Sequence, residues 1–103
     1  MIAAVIVQPE AEADITEAFA WYEGRAAGIG HSFVAEVDRL FQRIAVRPEL
    51  APIVHRDVRR LSLQRFPYVV VFAVRGDVIY ILGVLHQRRN PKLMQERVSS
   101  FKA

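Results

Sequence analysis

The fold is decided by the stretch FPYVVVFAVRGDVIYILGVL, residues 66–85. Two apolar runs rich in β-branched and aromatic residues, 66–74 and 78–85, flank Arg75-Gly76-Asp77, and this arrangement predicts a β-hairpin. With Gly76-Asp77 as a two-residue loop, one face holds the cross-strand pairs Val74/Ile79, Phe72/Ile81, Val70/Gly83 and Tyr68/Leu85. The other face holds Ala73/Tyr80, Val71/Leu82 and Val69/Val84, so both faces of the hairpin are apolar.

Two amphipathic helices are predicted upstream of the hairpin, after an opening strand at roughly residues 2–8. Pro9 favours a helix start, and apolar residues at helical spacing extend this first helix over residues 9–25. A second helix over residues 29–47 follows a glycine-containing turn. The two apolar stripes consist of Ala11, Ile15, Ala18, Phe19 and Tyr22, and of Phe33, Val37, Leu40, Phe41 and Ile44. Two such helices joined by a short turn indicate an antiparallel helical hairpin.

The remaining segments complete the order β-α-α-β-β-β-α in a single domain, residues 1–103. Residues 48–57, which contain two prolines, are predicted to form a loop, and residues 58–63 alternate as a strand. Asn90-Pro91 begins a last helix, whose apolar residues are Leu93, Met94, Val98 and Phe101. We therefore expect an α+β fold in which an antiparallel sheet packs on the helical hairpin.

Composition excludes several classes of site. The 103 residues include no cysteine, which excludes disulfides and thiolate metal sites, and His31, His55 and His86 are too scattered for a zinc ligand set. No metal and no cofactor are therefore expected. The apolar run near the N-terminus is too short and wrongly flanked for a secretory signal, and the later runs fall far below the roughly 20 residues of a membrane helix. These features predict a cytoplasmic protein with no membrane partner.

Charge is distributed unevenly along the chain. Residues 1–50 carry four basic and eight acidic side chains, a net charge of −4, whereas residues 51–103 carry ten basic and three acidic ones, a net charge of +7. Only Lys92 and Lys102 of the 14 basic residues are lysine, and the planar fork of arginine suits phosphate or carboxylate. The second half is thus predicted to face a polyanion or an acidic protein segment, or to form a solvated surface.

The second apolar face of the β-hairpin needs a cover. The helical hairpin shields one side of the sheet, and the last helix is only about three turns long, so we expect it to shield the other side only in part. We therefore predict that a partner binds the exposed face, whether a different chain or a second copy in a homodimer. The predicted partner-binding residues are Trp21, Val69, Val71, Tyr80 and Leu82.

Three segments carry a resemblance to a known family. They are Arg59-Arg60-Leu61, Arg65-Phe66-Pro67-Tyr68, and GVLHQRRNP at residues 83–91, where His-x-Arg-Arg-x-Pro follows the last strand. With the element order, they resemble the RelE/ParE superfamily of toxins from bacterial type II toxin–antitoxin (plasmid stabilisation) systems, over essentially the whole chain. The resemblance implies a small toxin that is neutralised by a cognate antitoxin wrapped across its apolar and basic surface.

The superfamily divides by target. RelE-like members cleave messenger RNA on the ribosome, whereas ParE-like members poison DNA gyrase and are not known as nucleases. RelE-like nucleases use lysines near the loop before the second strand and an aromatic hydroxyl near the C-terminus, but here residues 48–57 contain no lysine and the last helix ends in Phe101. The resemblance therefore favours a ParE-like gyrase inhibitor, with an mRNA endonuclease and a non-toxic interaction module as alternatives.

The candidate site residues depend on which alternative holds. A metal-free ribonuclease needs a proton-transfer group and cations, for which His86 and Arg59 are the candidates. His86 is otherwise a half-buried imidazole that closes the strand end. Arg59 is either a phosphate contact or the ion-pair partner of a helix acid such as Glu17. Phosphate or an acidic partner is expected to bind Arg65, Arg88 and Arg89, the last two of which precede a helix N-terminus.

Overall fold

The computed structural model describes residues 3–88 and 91–101 of the chain. Its elements, in chain order, are β1 (Ala4–Val7), α1 (Pro9–Arg25), α2 (Ile29–Val46), a 3-10 turn (Pro48–Leu50), β2 (Ile53–His55), β3 (Val58–Ser62), β4 (Tyr68–Arg75), β5 (Val78–His86) and α3 (Pro91–Ser100). The predicted α+β order is confirmed, with one strand added. No helix within these described residues is long and apolar enough to span a membrane.

The helical hairpin forms where the sequence predicts it. Pro9 occupies the first position of α1. At the turn into α2, Gly28 has a left-handed φ of 92°, and the N–H groups of Gly28 and Gly30 each donate to the Glu23 carboxylate at 2.9 Å. These hydrogen bonds, led by that from Gly28, lower the pKa of Glu23. The two helices approach closely, because a Cβ added at Gly30 would lie 2.7 Å from the Phe19 carbonyl oxygen.

The five strands form one sheet in the order β1-β5-β4-β3-β2. β1 pairs with β5 in parallel, and the other neighbours are antiparallel. The predicted loop over residues 48–57 is wrong in part, because residues 48–50 form the 3-10 turn and residues 53–55 form the edge strand β2. β2 is only three residues long and all three are exposed, so it has no apolar alternation that could identify it.

The β4–β5 hairpin departs from the predicted register at a β-bulge. On the turn side of the bulge, the predicted pairs Val74/Ile79, Ala73/Tyr80 and Phe72/Ile81 are observed. Beyond them Val71 pairs with Gly83, so Leu82 is an extra residue in β5 and every later pair shifts by one. The observed pairs in this half of the hairpin are Val71/Gly83, Val70/Val84, Val69/Leu85 and Tyr68/His86. The predicted register is wrong here because strict alternation cannot reveal an inserted residue.

The sheet buries an apolar cluster on each face. The larger cluster lies under the helical hairpin and includes Phe33, Phe72 and Ile81. The smaller cluster lies under α3, and its buried members are Val58, Val69, Val71, Ala73, Leu82 and Leu85. The partly buried residues that pack against this second cluster are Tyr80, Leu93, Met94, Val98 and Phe101.

The prediction that the second face is left open for a partner is wrong. Val69 and Val71 are fully buried and Leu82 is 3% exposed, while Tyr80 is half-buried with its ring centroid 5.2 Å from that of Phe101. One short helix is sufficient because valine and alanine provide much of this face, so the area to be covered is small. Asn90, predicted to open the helix, lies outside the described residues.

An ion pair, which we call the latch, holds α3 in place. Arg97 of α3 donates to both carboxylate oxygens of Asp14 of α1, at 2.7 and 2.8 Å, and the side chains are only 15% and 13% exposed. Asp14 also accepts a hydrogen bond from the Val84 N–H at 3.0 Å, and Arg97 donates to the Leu82 carbonyl at 3.1 Å. The hydrogen bond to Asp14 raises the pKa of Arg97, although desolvation opposes this.

Gly83 leaves the space that the latch occupies. A Cβ at this position would lie 3.0 Å from Arg97 Nη1 and 3.4 Å from Asp14 Oδ2. The latch was not predicted from the sequence, although Asp14 stands three residues after Ala11 and four before Ala18, on the buried stripe of α1. An acidic residue in such a position is rarely found without a partner. The sequence therefore indicates that Asp14 needs a partner, but it does not identify Arg97 as that partner.

Candidate functional site at the end of the last strand

His86 is the last residue of β5 and lies opposite Tyr68 of β4. The two rings meet edge to face with their centroids 5.3 Å apart. His86 Nδ1 accepts a hydrogen bond from the Arg88 N–H at 3.2 Å, so the neutral ring carries its proton on Nε2. The half-buried position agrees with the interpretation of His86 as an imidazole that closes the strand end.

Residues 65–68 form a corner beside His86. The Gln87 N–H donates to the Pro67 carbonyl at 2.8 Å and thereby joins this corner to the end of β5. Aromatic rings beneath the corner contact one another with centroids 4.9 to 6.1 Å apart, and they belong to Tyr22, Phe33, Phe66 and Tyr68. This cluster connects the helical hairpin to His86 and supports the corner from below.

Arg65 lies at this corner and remains accessible. Its Nε donates to Glu36 Oε1 of α2 at 3.2 Å, but its side chain is 63% exposed. Glu36 also accepts hydrogen bonds from the N–H groups of Gln64 and Arg65. Desolvation tends to raise the pKa of Glu36, but these hydrogen bonds and the Arg65 guanidinium lower it overall. The Arg65 side chain, unlike that of Glu36, which is 12% exposed, is therefore open to contact with a second anion.

A cleft of about 110 Å³ opens beside His86, between α1, the ends of β4 and β5, and the first turn of α3. Its lining residues are Asp14, Glu17, Ala18, Tyr68, Val84, Leu85, His86 and Leu93. Glu17 is a neighbour of His86 that the sequence analysis missed in this role. It follows Asp14 by almost one helical turn, but only the crossing of α1 over β5 brings its carboxylate to this cleft.

Arg59 has partners other than those predicted. Its Nη1 donates to the Ala51 carbonyl at 2.7 Å and to the Glu49 carbonyl at 3.3 Å. The expected ion pair with Glu17 is wrong, because Glu17 lies in the His86 cleft while Arg59 is tied to the backbone around the 3-10 turn. The strand alternation placed Arg59 on the correct side of the sheet but could not identify a backbone acceptor.

The structure does not bring Arg59 and His86 together. Arg59 pairs with Phe72, whereas His86 pairs with Tyr68 on the other side of the same strand. The two paired positions are four residues apart on β4, which is about 13 Å along the strand. Because Arg59 lies on β3 and His86 on β5, β4 itself also lies between them. The two residues proposed to share a nuclease site thus occupy different ends of the sheet.

The other predicted site residues are distributed as follows. Arg88 is exposed two residues after His86, while Arg89 lies outside the described residues. Trp21 is 46% exposed, with the Arg25 guanidinium 4.3 Å from its ring centroid, and its role in partner binding stays a prediction. Within residues 3–88 and 91–101, no group of three or more histidine or acidic side chains is placed to hold a metal ion.

Comparison with known proteins gives a match to a family model and matches to solved structures. A family model described as "ParE toxin of type II toxin-antitoxin system, parDE" matches residues 5–91. A solved structure described as "Chromosomal ParDE TA system from P. aeruginosa" is similar in fold, with a TM-score of 0.73 and 20% sequence identity, over 82% of this chain and 96% of that chain. No curated protein sequence matches the chain. The family match includes the corner at residues 65–68 and the end of β5.

Proposed function

Because the chain belongs to the ParE toxin family of type II toxin–antitoxin systems, we propose that it inhibits DNA gyrase by binding it and is neutralised by a cognate antitoxin in the cytoplasm. The activity is then one of protein binding rather than of covalent chemistry. The P. aeruginosa structure, described as a ParDE system, supports the expectation of an antitoxin partner for this chain.

The separation of Arg59 from His86 is the observation that carries the choice of gyrase over messenger RNA. Cleavage of RNA without a metal requires a proton-transfer group and a cation at the same phosphate. The Arg59 guanidinium is tied to two carbonyls near the 3-10 turn, and His86 stands at the other end of the sheet. This arrangement favours a binding function.

Accessible side chains support partner binding at the end of β5 and on α1. Arg65 and Arg88 are exposed at the same end of the sheet, and we propose that they contact carboxylates of a protein partner. Trp21, with its ring half-exposed on α1, is a suitable apolar anchor for such an interface. Each of these three residues can be replaced without removing a buried part of the sheet.

An mRNA endonuclease remains the second candidate because of the composition of the His86 cleft. Glu17 and Tyr68 line the same cleft as His86, so further groups capable of proton transfer lie beside it, and only the cation must come from a residue other than Arg59. Arg88 would then provide the positive charge. This alternative makes His86 indispensable, whereas gyrase binding through Arg65 and Trp21 does not.

Induced expression together with two assays in vitro tests the proposal. We expect growth arrest, gyrase-dependent DNA breaks with purified protein, and no cleavage of messenger RNA on programmed ribosomes. His86→Ala should retain these effects, while the double variant Trp21→Ala/Arg65→Ala should lose gyrase binding and keep its fold by circular dichroism. Ribosome-dependent cleavage that is abolished in His86→Ala would instead establish the nuclease. Harmless expression would indicate the non-toxic interaction module.

A second experiment tests neutralisation. Co-expression with the product of an adjacent reading frame that encodes a small acidic protein should relieve growth arrest and yield a stable complex. A complex that forms without relief of arrest would contradict the proposed role of that protein as antitoxin.

A further inference from the structure

The outer side of α2 carries a groove that the proposed site does not use. It runs from the second half of α2 to the 3-10 turn and has a volume of about 510 Å³. Its lining residues are Arg39, Gln42, Arg43, Val46, Arg47 and Leu50. We call this surface the α2 groove. It shares no lining residue with the His86 cleft, so the two surfaces can be altered independently.

Three arginines form a row along the α2 groove. Arg39 and Arg43 are four residues apart in α2 and therefore lie on one side of the helix, where like charges repel, and Arg47, just beyond the end of α2, lines the same groove. Within the described part of the chain, Arg39 and Arg43 form no ion pair, and Arg47 pairs only with exposed Glu49, at 2.7 Å. The row thus concentrates positive charge in the half of the chain whose net charge is negative, and a bound anion would relieve the repulsion.

Exposed aliphatic side chains accompany these arginines. Val46 is 53% exposed and Leu50 is 67% exposed, and both line the groove. Ile53 and Val54 on the edge strand β2 follow within four residues and are also exposed. A single exposed aliphatic residue is ordinary, but a pair inside a groove with arginines beside it has the character of a protein-binding surface.

The position of Leu50 is fixed by the fold. The neighbouring Ala51 is buried in the main core, and its carbonyl accepts the 2.7 Å hydrogen bond from Arg59. The Leu50 N–H donates to the Arg47 carbonyl at 3.2 Å, which closes the 3-10 turn. Leu50 is therefore held outward between two anchored positions, and a partner would lose little conformational entropy from this side on binding.

We propose that the α2 groove binds an acidic amphipathic helix of a partner protein. Its aliphatic side chains would pack on Val46 and Leu50, while carboxylates one turn apart on the same helix would pair with Arg43 and its neighbours in the row. The four-residue spacing of the arginines matches the spacing of carboxylates along a helix. This inference rests on the groove itself and does not depend on gyrase being the target.

The apolar floor favours a peptide over a nucleic acid. A phosphate backbone would satisfy the arginines but would leave Val46 and Leu50 without apolar partners. A helix with alternating carboxylates and leucines satisfies both kinds of group in the groove. Nucleic-acid binding is therefore the competing result that the experiment must be able to detect.

The test uses the full-length protein and a fluorescein-labelled helical peptide of roughly 20 residues, long enough to form a helix. The peptide carries leucines at helical spacing and glutamates beside them, and a second peptide replaces every glutamate with glutamine. Anisotropy titrations should show that Arg43→Glu and Leu50→Ser each weaken binding of the acidic peptide about tenfold, because each variant removes one desolvated contact. Lys92→Glu on α3 and Ile29→Ser at the start of α2 are the matched controls and should remain within about twofold.

Chemical-shift mapping should place the acidic peptide on α2 and the 3-10 turn. The inference is overturned if the glutamine peptide binds as tightly, if the controls weaken binding as much as the groove variants, or if no saturable binding is observed. It is also overturned if a single-stranded oligonucleotide of similar charge binds more tightly than the acidic peptide and shifts the same residues. A gyrase assay on Arg43→Glu tests gyrase inhibition separately from peptide binding in the α2 groove. The groove can bind the peptide whether or not the toxin inhibits gyrase.

Discussion

The two faces of the sheet are covered in different ways. On one face, helices of 17 and 18 residues bury large side chains such as Phe33 and Phe72. On the other, a ten-residue helix without a buried residue of its own covers mostly valine and alanine, and the Asp14–Arg97 latch holds it. Because burial free energy grows with apolar area, the first face should supply most of the stability, while the second depends on polar contacts.

The largest difference between the faces should appear at two adjacent residues of β4. Phe72→Ala, on the helical-hairpin face, should lower the free energy of unfolding by about 3–5 kcal/mol, because it leaves a large cavity in the main cluster. Val71→Ala, on the α3 face, removes two methyl groups and should cost about 2 kcal/mol. Urea denaturation measures both. Equal losses would show that the two clusters contribute alike.

The latch should give the next largest effect. Asp14→Ala leaves the Arg97 guanidinium and the Val84 N–H without their carboxylate, and we expect a loss of about 1–3 kcal/mol after allowance for partial exposure. The amides of α3 should exchange faster with solvent, while those of Phe72 and its neighbours on β4 remain protected. Thr16→Ala, exposed on the same helix, is the control. Unchanged exchange in α3 would show that apolar contacts alone hold this helix.

A smaller effect is expected at Gly83, where the bulge makes room for the latch. Gly83→Ala places a Cβ 3.0 Å from Arg97 Nη1, so the guanidinium must move by a few tenths of an ångström, and we expect a loss of about 1 kcal/mol. At Gly24, by contrast, an added Cβ meets nothing within 4 Å, and Gly24→Ala in α1 should stabilise the protein slightly. Thermal unfolding of both variants is the measurement. Stabilisation by Gly83→Ala would contradict the tight fit.

The sequence predicted the features that depend on local periodicity. The bounds of α1 agree with the apolar stripe, α2 ends one residue earlier than predicted, and the turn at Gly76 has the predicted register. The bulge at Leu82 and the short strand β2 could not be predicted, because neither changes the apolar pattern on which the prediction rests. The extent to which α3 covers the second face was underestimated for another reason, because the sequence shows Asp14 and Arg97 without showing that they meet.

The candidate site, like the fold, could be predicted from the sequence only in part. The resemblance of the corner at residues 65–68 and of the segment after β5 to a toxin family directed attention to His86 and Arg65, which lie at one end of the sheet, and their roles stay a prediction. The predicted ion pair of Arg59 with a helix acid was wrong because its acceptors are backbone carbonyls around a 3-10 turn that no side-chain pattern marks. The α2 groove was overlooked because the charge count assigned the basic surface to the second half of the chain, whereas three arginines of the first half line this one groove.

The smallest predicted effect concerns the polar contact between Glu36 of α2 and Arg65, on the helical-hairpin face of the sheet. The lowered pKa of Glu36 means that its ionised form is favoured in the folded protein, so this contribution is complete above the ordinary glutamate value of 4.5 and disappears as pH falls through the lowered pKa. Glu36→Gln should therefore cost up to about 1 kcal/mol at pH 7, since Arg65 is largely exposed, and less at pH 2.5. Urea denaturation at both pH values gives this difference. Asp38→Asn, exposed on the same helix, should not reproduce it, and a Glu36→Gln loss that is the same at both pH values would contradict the assignment.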